Sequence, residues 1–336
     1  MFKKFIVNKD YHNTRFDRWF KHNVQDVPQS LIEKLIRKKK VKINKKKVKT
    51  SYRVQSNDII ELYGIDNLKF KPKSKNNKYK PSEKEKDKYD KFIIENNDNF
   101  IVINKPSGIP VQGGTKSFRN IIDILKNTKY FENSKPFVVH RLDKETSGLL
   151  IVARDQQTAK KFSNYFKGRK IIKTYLAIVS PCPKTETGII DLPLLKGERK
   201  GQRKMTVDHE KGKQAITEYK ILDKVSSRVG LIALYPKTGR THQLRVHLEN
   251  INAPIVGDKK YNGSLGVYSS ENDLPGHESI SQIKWNDEDI KNLQLHAYSI
   301  RMPSNEVIEA ELSENFKKNL KFLGLTLPKN INNIFI

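Results

Sequence analysis

The chain has 336 residues, of which 65 are Lys or Arg and 37 are Asp or Glu, so its formal net charge at pH 7 is +28. That length suggests two domains at about 150 residues each, and that charge favours a polyanion such as nucleic acid as the partner. The lone cysteine, Cys182, excludes an internal disulfide and a thiolate zinc site. No apolar run at the N-terminus has the length of a signal peptide or a membrane span. We therefore expect a cytoplasmic protein without a membrane partner.

Residues 1–66 predict a small domain of two helices and a few short strands. Capping-box patterns at Thr14–Asp17 and Ser30–Glu33 predict the two helix starts. The first helix carries Phe16, Trp19 and Phe20 on one face, and the second turns apolar Leu31, Leu35 and Ile36 away from its basic side chains. β-type apolar positions follow between Val41 and Leu62, broken by polar turns.

The charge of this small domain is concentrated in one stretch. Between Lys34 and Arg53 there are 11 basic residues and no acidic one. A chain rich in Lys, Asn and Ile through its base composition is an alternative reason for the total charge, but it explains the clustering less well. The clustering predicts a phosphate-binding surface. The candidate RNA contacts are Lys34, Arg37, Lys38, Lys42 and Lys49.

Residues 67–90 predict a charged linker, because Tyr79 is the only sizeable apolar side chain between Lys71 and Lys88. Residues 91–330 then predict a large domain in which apolar strands recur, with a helix from Asp155 to about Lys167. Hairpin-like neighbours outnumber strand-helix-strand units, so we expect an α+β fold with a mixed, mainly antiparallel sheet. The expected strands include 148–154, 171–179, 215–222, 230–235 and 294–302.

Cofactor-binding patterns are weak throughout the sequence. The segment from Gly108 to Thr115 resembles a phosphate-binding loop only loosely, since Gly114 occupies the position of the required Lys. No Gly-x-Gly-x-x-Gly follows a strand, and the eight histidines lack metal-ligand spacing. We expect neither a cofactor nor a metal.

The first dense group of polar residues is His140-Arg141-Leu142-Asp143-Lys144-Glu145-Thr146-Ser147-Gly148, a turn that leads directly into an apolar strand. Side chains in such a turn are held by the scaffold and can face a cleft. The residues alone leave two alternatives open. One is a solvated turn in which Thr146 or Ser147 bonds to the local backbone, and the other is a glycosidase-like pair of Asp143 with Glu145.

The second dense group is Lys237-Thr238-Gly239-Arg240-Thr241-His242-Gln243-Leu244-Arg245-Val246-His247-Leu248, a turn followed by a helix. Fixed guanidinium groups at Arg240 and Arg245 suit a carboxylate or a phosphate. An ordinary ion pair at a helix start is the alternative.

Two resemblances to known families emerge from these motifs. Arg15-x-Asp17, the stretch from Ser30 to Asn44 and Asp58-x-Ile60 resemble the alpha-L RNA-binding motif typified by small-subunit ribosomal protein four. Such modules often carry Gly after the Asn, whereas this chain has Lys45, so we expect a differently shaped turn there.

The large domain resembles the RluA-type pseudouridine synthases, and within them the RluC-like branch that modifies uridines of large-subunit (23S) ribosomal RNA. The resemblance rests on the 140–148 motif, Lys173-x-Tyr175, the 239–247 motif and Gly257-Asp258-x-x-Tyr261, in that order. It implies a uridine-to-pseudouridine isomerase that needs no cofactor. The implied partner is large-subunit ribosomal RNA, as a precursor or assembly intermediate, bound by a monomer.

The same resemblance implies roles for individual residues. Asp143 is the expected nucleophile, and Tyr175 is expected to stack on the base and to help deprotonate its fifth carbon. Arg245, with Arg240 as second choice, is expected to pair with Asp143. Arg141 is expected to replace or steer the flipped nucleotide, and His140 and Arg240 are expected RNA contacts.

Three other functions fit parts of this pattern. A catalytically silent ribosome-binding or assembly factor needs the basic domain but not Asp143. A synthase acting on tRNA or another RNA shares the chemistry. An N-glycosidase shares the first chemical step but releases uracil.

Overall fold

The structure is a computed structural model that describes residues 2–25, 27–49, 51–65, 79–113, 119–199, 202–262, 290, 292–329, 331, 334 and 335. The chain divides into two units, residues 1–78 and 79–336, called here the small unit and the large unit. Each unit has a hydrophobic core of its own. None of the helices in the described ranges is long and apolar enough to cross a membrane.

The small unit is built on two short helices against a small sheet. Its four-stranded sheet is antiparallel in the order β1-β6-β3-β4, and β2 pairs with β5. The elements are β1 (Phe2–Ile6), β2 (Thr14–Arg15), α1 (Phe16–Asn23), α2 (Gln29–Arg37), β3 (Val41–Ile43), β4 (Lys46–Lys47), β5 (Arg53–Val54) and β6 (Ile59–Tyr63).

The apolar faces of the two helices agree with the sequence prediction, but their starts do not. Phe16, Trp19 and Phe20 are buried in α1, and α2 buries Leu35 together with Ile32. Neither helix has a side-chain cap, so both predicted capping boxes are wrong. Asp17 is bound instead by the Arg15 guanidinium at 3.0 and 3.1 Å. Pro28 precedes α2, and its carbonyl accepts the amides of Leu31 and Ile32.

The β3–β4 turn keeps a left-handed backbone without glycine. Asn44 has φ 48° and Lys45 has φ 63°, so the expected change of turn shape at Lys45 is not observed. The Asn44 side chain donates to Asp58 at 2.7 Å and accepts the Ile59 amide at 2.8 Å. These two hydrogen bonds stabilise a conformation that favours Gly or Asn.

The second half of the predicted linker is a helix, α3 (Glu83–Asp90), so this part of the 67–90 prediction is wrong. Ser82 caps α3 by accepting the Glu85 amide. Tyr89 is buried in the core of the large unit, and Arg119 pairs with Glu85 at 2.6 Å. The polar composition of the segment gave no sign of the helix, which one buried Tyr and ion pairs to Arg119 and Lys129 hold against the large unit.

The large unit continues from α3 through a series of strands and short helices. After α3 come β7 (Ile93–Asn96), β8 (Phe100–Lys105), α4 (Ile121–Leu125), β9 (Phe137–Val138), β10 (Ser147–Ala153), α5 (Gln156–Lys167), β11 (Ile172–Val179), β12 (Thr187–Asp191), β13 (Leu194–Arg199), β14 (Gln202–Val207), β15 (Ile216–Val225), β16 (Val229–Pro236), α6 (Gln243–Asn250), β17 (Leu295–Arg301), β18 (Val307–Glu309) and α7 (Glu314–Phe322).

Within the described residues the main sheet of this unit has ten strands. Its order is β12-β15-β16-β11-β17-β10-β8-β7, with β18 beside β17 and β9 beside β10. Only β10 and β17 run parallel, and the other pairs are antiparallel. The prediction of an α+β fold with a mixed, mainly antiparallel sheet is therefore confirmed.

The central strand β10 and the helix after it follow the sequence pattern closely. All seven residues of β10 are buried. Asp155 caps α5 by accepting the Thr158 amide at 2.8 Å, as predicted. At the start of β10, Gly148 has φ +105°, and a Cβ there would lie 2.2 Å from the Ala297 carbonyl oxygen on β17. Glycine is therefore required where the polar turn of residues 140–146 enters the sheet.

Candidate active site

A cavity of about 540 Å³ opens in the large unit where the two polar sequence groups meet. The turn before β10 contributes Asp143, and the segment from Lys237 through the start of α6 forms the facing wall. Strand β11 supplies Lys173 and Tyr175. The cationic residues of the lining are Arg141, Lys167, Arg169, Lys173, Lys237, Arg240 and Arg245. A cavity with one carboxylate among so many cations suits a polyanionic substrate.

A buried lysine fixes the turn that carries Asp143 by binding backbone carbonyl oxygens. Lys105 is fully buried at the end of β8, and its ammonium donates to the carbonyl oxygens of Pro106 at 2.9 Å, Ile109 at 3.0 Å and Lys144 at 3.3 Å. Burial lowers the pKa of Lys105 to about 7, although Glu145 and Asp143 act in the opposite direction. Lys105 was not among the residues predicted for the site.

Two further hydrogen bonds join the segment after β8 to the same turn. The Gly108 amide donates to the Lys144 carbonyl at 2.9 Å, and the Ser107 hydroxyl donates to the Glu145 carbonyl at 2.6 Å. Leu142 is buried beside Asp143. The residues before and after Asp143 in the chain are therefore both held in place, which fixes the backbone at Asp143.

Arg245 connects α6 to Asp143 through a second carboxylate. Its Nε and Nη2 donate to the two oxygens of Asp258 at 2.6 and 2.7 Å, and both side chains are buried. Its remaining nitrogen, Nη1, lies 3.6 Å from Asp143 Oδ2 and 3.8 Å from Glu145 Oε2. The bidentate bond fixes the plane of the guanidinium and leaves Nη1 facing Asp143.

Arg240, the second choice for this contact, is placed elsewhere. It is exposed, and its Nε donates to the Gln214 carbonyl at 3.0 Å. The turn around it is held by Gln243, whose side-chain oxygen accepts the Arg240 amide at 3.0 Å and the Thr238 hydroxyl at 2.7 Å. Of the two arginines, Arg245 is therefore the one with geometry for Asp143.

A histidine also lies near the Asp143 carboxylate. His242 immediately precedes α6 with a left-handed φ of 52°. Its Nε2 is 3.8 Å from Asp143 Oδ2, and its Nδ1 is 2.8 Å from the Tyr261 hydroxyl. Desolvation lowers the pKa of His242 below its usual value. The sequence motifs contained Asp258, Tyr261 and His242, but their spacing alone showed no link to Asp143.

Tyr175 lies in the cavity wall on β11, where the register with β17 shifts between Thr174 and Tyr175. Burial and the neighbouring Asp143 raise the pKa of the Tyr175 hydroxyl. Burial also lowers the pKa of Lys173 to about 8. Desolvation and the nearby carboxylate both disfavour the phenolate form of Tyr175, which weighs against the expected part in deprotonating the base.

His140 and Arg141 differ in their surroundings. The His140 Nε2 accepts the Ile151 amide at 2.9 Å, and the ring lies 4.7 Å from that of Phe166. Desolvation and the charge of Lys173 lower the pKa of His140 to about 3. This ring fastens the turn to β10 and also lines the cavity, and the expected RNA contact of His140 stays a prediction. Arg141 is exposed, and no described residue forms a hydrogen bond or ion pair with its guanidinium.

The remaining predicted RNA contacts belong to the small unit. Lys34, Arg37 and Lys38 are exposed on one face of α2, and Lys49 is also exposed. Lys42 is half-buried on β3, with its ammonium 5.2 Å from the centre of the Tyr63 ring. No described carboxylate pairs with any of the five.

Comparisons with known proteins agree with this arrangement. The sequence pattern of the RNA pseudouridylate synthase family matches residues 99–250, and that of the S4 domain matches residues 27–60. The chain is 36% identical over 262 residues to ribosomal large subunit pseudouridine synthase C of Rickettsia conorii, covering 76% of this chain and 85% of that protein. The protein of that name from Buchnera aphidicola is 31% identical over 322 residues, covering 94% of this chain and 96% of that protein.

A solved structure shares the fold of the large part of the chain. Human RNA pseudouridylate synthase domain containing 4 is 29% identical, with a TM-score of 0.58, and the match covers 73% of this chain and 97% of that one. The family matches include the turn with Asp143 and the start of α6, and the expected resemblances are confirmed. The chain therefore belongs to the RNA pseudouridylate synthase family and is an RNA pseudouridine synthase.

Proposed function

We propose that this chain isomerises specific uridines of large-subunit (23S) ribosomal RNA to pseudouridine, with Asp143 as the nucleophile acting on a flipped-out nucleotide. The observation that carries the proposal is the Asp143 carboxylate, held 3.6 Å from Arg245 in a cavity lined by cations. The relatives named ribosomal large subunit pseudouridine synthase C supply the RNA class.

The chemistry needs a carboxylate at one sugar carbon. The bond from the sugar C1′ to N1 of uracil breaks, the base turns, and a bond from C1′ to its fifth carbon forms. Overall the hydrogen on the fifth carbon is lost and N1 gains one, so the product is an isomer. Asp143 stabilises the electron-poor C1′ between the two steps. The Arg245 guanidinium, 3.6 Å away, places a fixed positive charge beside the Asp143 carboxylate.

Tyr175 supplies an aromatic ring to the cavity wall. A ring at this position suits stacking on the loosened base. Since the hydroxyl pKa is raised by burial and by Asp143, we assign Tyr175 to stacking and not to removal of the final proton.

Arg141 is proposed to fill the space that the flipped nucleotide leaves in the RNA, or to steer that nucleotide. A target uridine must leave its stack before a carboxylate in a cavity can reach C1′. Arg141 is exposed at the cavity with no partner among the described side chains, so its guanidinium is available to insert into or steer the RNA. The exposed Arg240 and Arg169 at the same cavity suit flanking phosphates.

The small unit provides affinity for the RNA backbone. Lys34, Arg37 and Lys38 share one helical face, and Lys42 and Lys49 follow in the next strand and loop. Phosphate contacts of this kind position RNA without reading its sequence. The proposed substrate form is a precursor or assembly intermediate, because target bases must be accessible.

The test is pseudouridine formation in defined RNAs. Purified protein is incubated with 23S ribosomal RNA, 16S ribosomal RNA and tRNA that lack the modification, each labelled with tritium on the fifth carbon of uridine. We expect tritium release from 23S RNA only, and no free uracil. Tritium release from tRNA alone would contradict the proposed substrate class. Free uracil would indicate a glycosidase. Chemical mapping of 23S RNA from cells with and without the gene identifies the positions.

A further inference from the structure

His242 is the residue at which helix α6 begins, and both its backbone conformation and its side-chain contacts differ from those of an ordinary helix cap. Its carbonyl accepts the Val246 amide at 3.0 Å and so begins α6, but its side chain forms no cap. Its backbone is left-handed, φ 52°, a region that few non-glycine residues adopt and in which Asn, Asp and His are the most frequent. A non-glycine residue held in this region marks a position that the surrounding structure constrains. The imidazole Nε2 of His242 lies 3.8 Å from Asp143 Oδ2.

The hydrogen bonds around Tyr261 identify the tautomer of His242. The Tyr261 oxygen accepts the Met205 amide at 3.1 Å and lies 2.8 Å from His242 Nδ1. No other acceptor for the Tyr261 hydrogen lies within hydrogen-bond distance among the described residues, so the hydroxyl donates to Nδ1. A neutral imidazole that accepts at Nδ1 carries its hydrogen on Nε2. That N–H faces Asp143 Oδ2 at 3.8 Å.

Arg245 approaches the same oxygen. Its Nη1 lies 3.6 Å from Asp143 Oδ2, so two N–H groups from α6 and its preceding residue converge on Oδ2. Neither Asp143 oxygen accepts a hydrogen bond from a donor among the described residues. Both distances exceed hydrogen-bond range in the free protein, and catalytic contacts of this kind often tighten only when substrate binds.

We propose that His242 is a positioning residue for Asp143: its Nε2–H, oriented by Tyr261, acts together with Arg245 Nη1 to fix the orientation of the carboxylate towards the sugar carbon. This inference rests on the proposed nucleophilic role of Asp143. Two oriented donors on one oxygen restrict rotation of the carboxylate, and the effect on rate comes through that geometry. Tyr261 acts one step further away, by selecting the tautomer.

Two substitutions at His242 separate the two ring nitrogens. His242→Gln keeps an N–H near the Nε2 position and loses the acceptor for Tyr261. His242→Asn keeps the acceptor for Tyr261, tolerates the left-handed backbone and loses the donor to Asp143. Tyr261→Phe keeps the ring over Arg245, whose guanidinium carbon is 5.2 Å from the ring centre, and removes only the hydroxyl.

The measurements are the single-turnover rate at saturating enzyme, the Kd for RNA and the Tm of each variant. We expect His242→Asn to slow the rate at least about tenfold and His242→Gln to stay within about threefold of wild type, with Kd changed less than about twofold. Tyr261→Phe should lower the single-turnover rate when it is made alone. It should cause no further loss of rate when it is combined with His242→Gln. A purely structural role predicts the reverse order, because Asn suits the backbone and keeps the Tyr261 bond.

A second measurement does not depend on activity. The ¹⁵N NMR shifts of labelled histidine report which nitrogen of His242 is protonated, and we expect Nε2–H in the wild type and a mixture in Tyr261→Phe. Protonation at Nδ1 in the wild type would overturn the inference, as would equal rates for the two His242 variants. A wild type that forms no pseudouridine in any RNA overturns the proposed function instead, and the NMR result still decides the tautomer.

Discussion

The guanidinium of Arg245 is bound on two nitrogens by the carboxylate of Asp258, at 2.6 and 2.7 Å. The nitrogen left over, Nη1, is the one that faces Asp143 at 3.6 Å. Asp258 therefore determines how Arg245 is presented to the proposed nucleophile, although it is not itself in the lining of the cavity.

Asp258→Asn should weaken both folding and activity. Removing one partner of a buried ion pair leaves an uncompensated charge, so we expect the free energy of unfolding to fall by about 3 kcal/mol. The rate of tritium release should fall at least about tenfold as Arg245 loses its fixed plane. Chemical denaturation and the tritium assay measure the two effects.

The matched control for this substitution is Glu145→Gln, which removes the more exposed carboxylate 3.8 Å from the same guanidinium. Its effect on the free energy of unfolding should be under about 0.5 kcal/mol, as for other exposed pairs. Equal losses from the two substitutions would contradict the role given to Asp258.

Asp143→Asn should abolish isomerisation with little effect on RNA binding. The amide has nearly the same size but cannot act as a nucleophile, so we expect activity below about a hundredth of wild type and a Kd within about threefold. Tritium release and filter binding measure the two quantities. Residual activity above about a tenth of wild type would remove Asp143 from the nucleophile role.

Tyr175→Phe should retain much more activity than Tyr175→Leu. The pKa of the hydroxyl is raised by burial and by Asp143, so the ring and not the hydroxyl should carry the contribution. We expect Phe to stay within about fivefold of wild type and Leu to lose about a hundredfold in single-turnover rate. If Phe is as slow as Leu, the hydroxyl takes part in the reaction after all.

Lys105 should make the unfolding free energy depend on pH. Its pKa is about 7 in the folded chain against an ordinary value of 10.5. Between these values the unfolded chain holds a proton that the folded chain has released, so stability rises with pH across this window and falls as pH drops towards 7. Lys173, with a pKa of about 8 in the folded chain, contributes in the same direction.

Lys105→Met removes the first of these contributions. Denaturant titrations at pH 7, 8 and 9 should show a wild-type stability that rises more steeply than that of the variant, by at most one proton or about 1.4 kcal/mol per pH unit. Parallel pH profiles for the two proteins would show that Lys105 stays charged in the folded state.

Neutralising the exposed face of α2 should reduce the salt dependence of RNA binding. In the triple variant Lys34→Gln, Arg37→Gln and Lys38→Gln, three lost phosphate contacts lower the log–log slope by about 2 to 3. The control is Lys318→Gln, Lys321→Gln and Lys329→Gln, three exposed lysines at and beyond α7. Equal slopes for the two triple variants would contradict an RNA contact on α2.

Local patterns in the sequence determined the elements whose stability is local. The apolar run of β10, the Asp155 cap of α5 and the apolar faces of α1 and α2 are each encoded within a few residues, and the structure has them where they were expected. The capping-box patterns failed because Arg15 binds Asp17 and because Pro28 precedes α2. The helix α3 was missed because its stability comes from the burial of Tyr89 and from Arg119, which is distant in sequence.

For the site, the family resemblance of the motifs identified Asp143 as the nucleophile and named Arg245, with Arg240 as second choice, as its partner. Only the tertiary structure decided that Arg245 and not Arg240 faces Asp143, that Asp258 orients Arg245, and that His242 and Lys105 surround the same turn. These contacts join residues from β8, the turn before β10, the start of α6 and the segment after it. A periodic pattern reports which face a side chain takes on its own element, whereas distances between elements are fixed by how the sheet and helices pack.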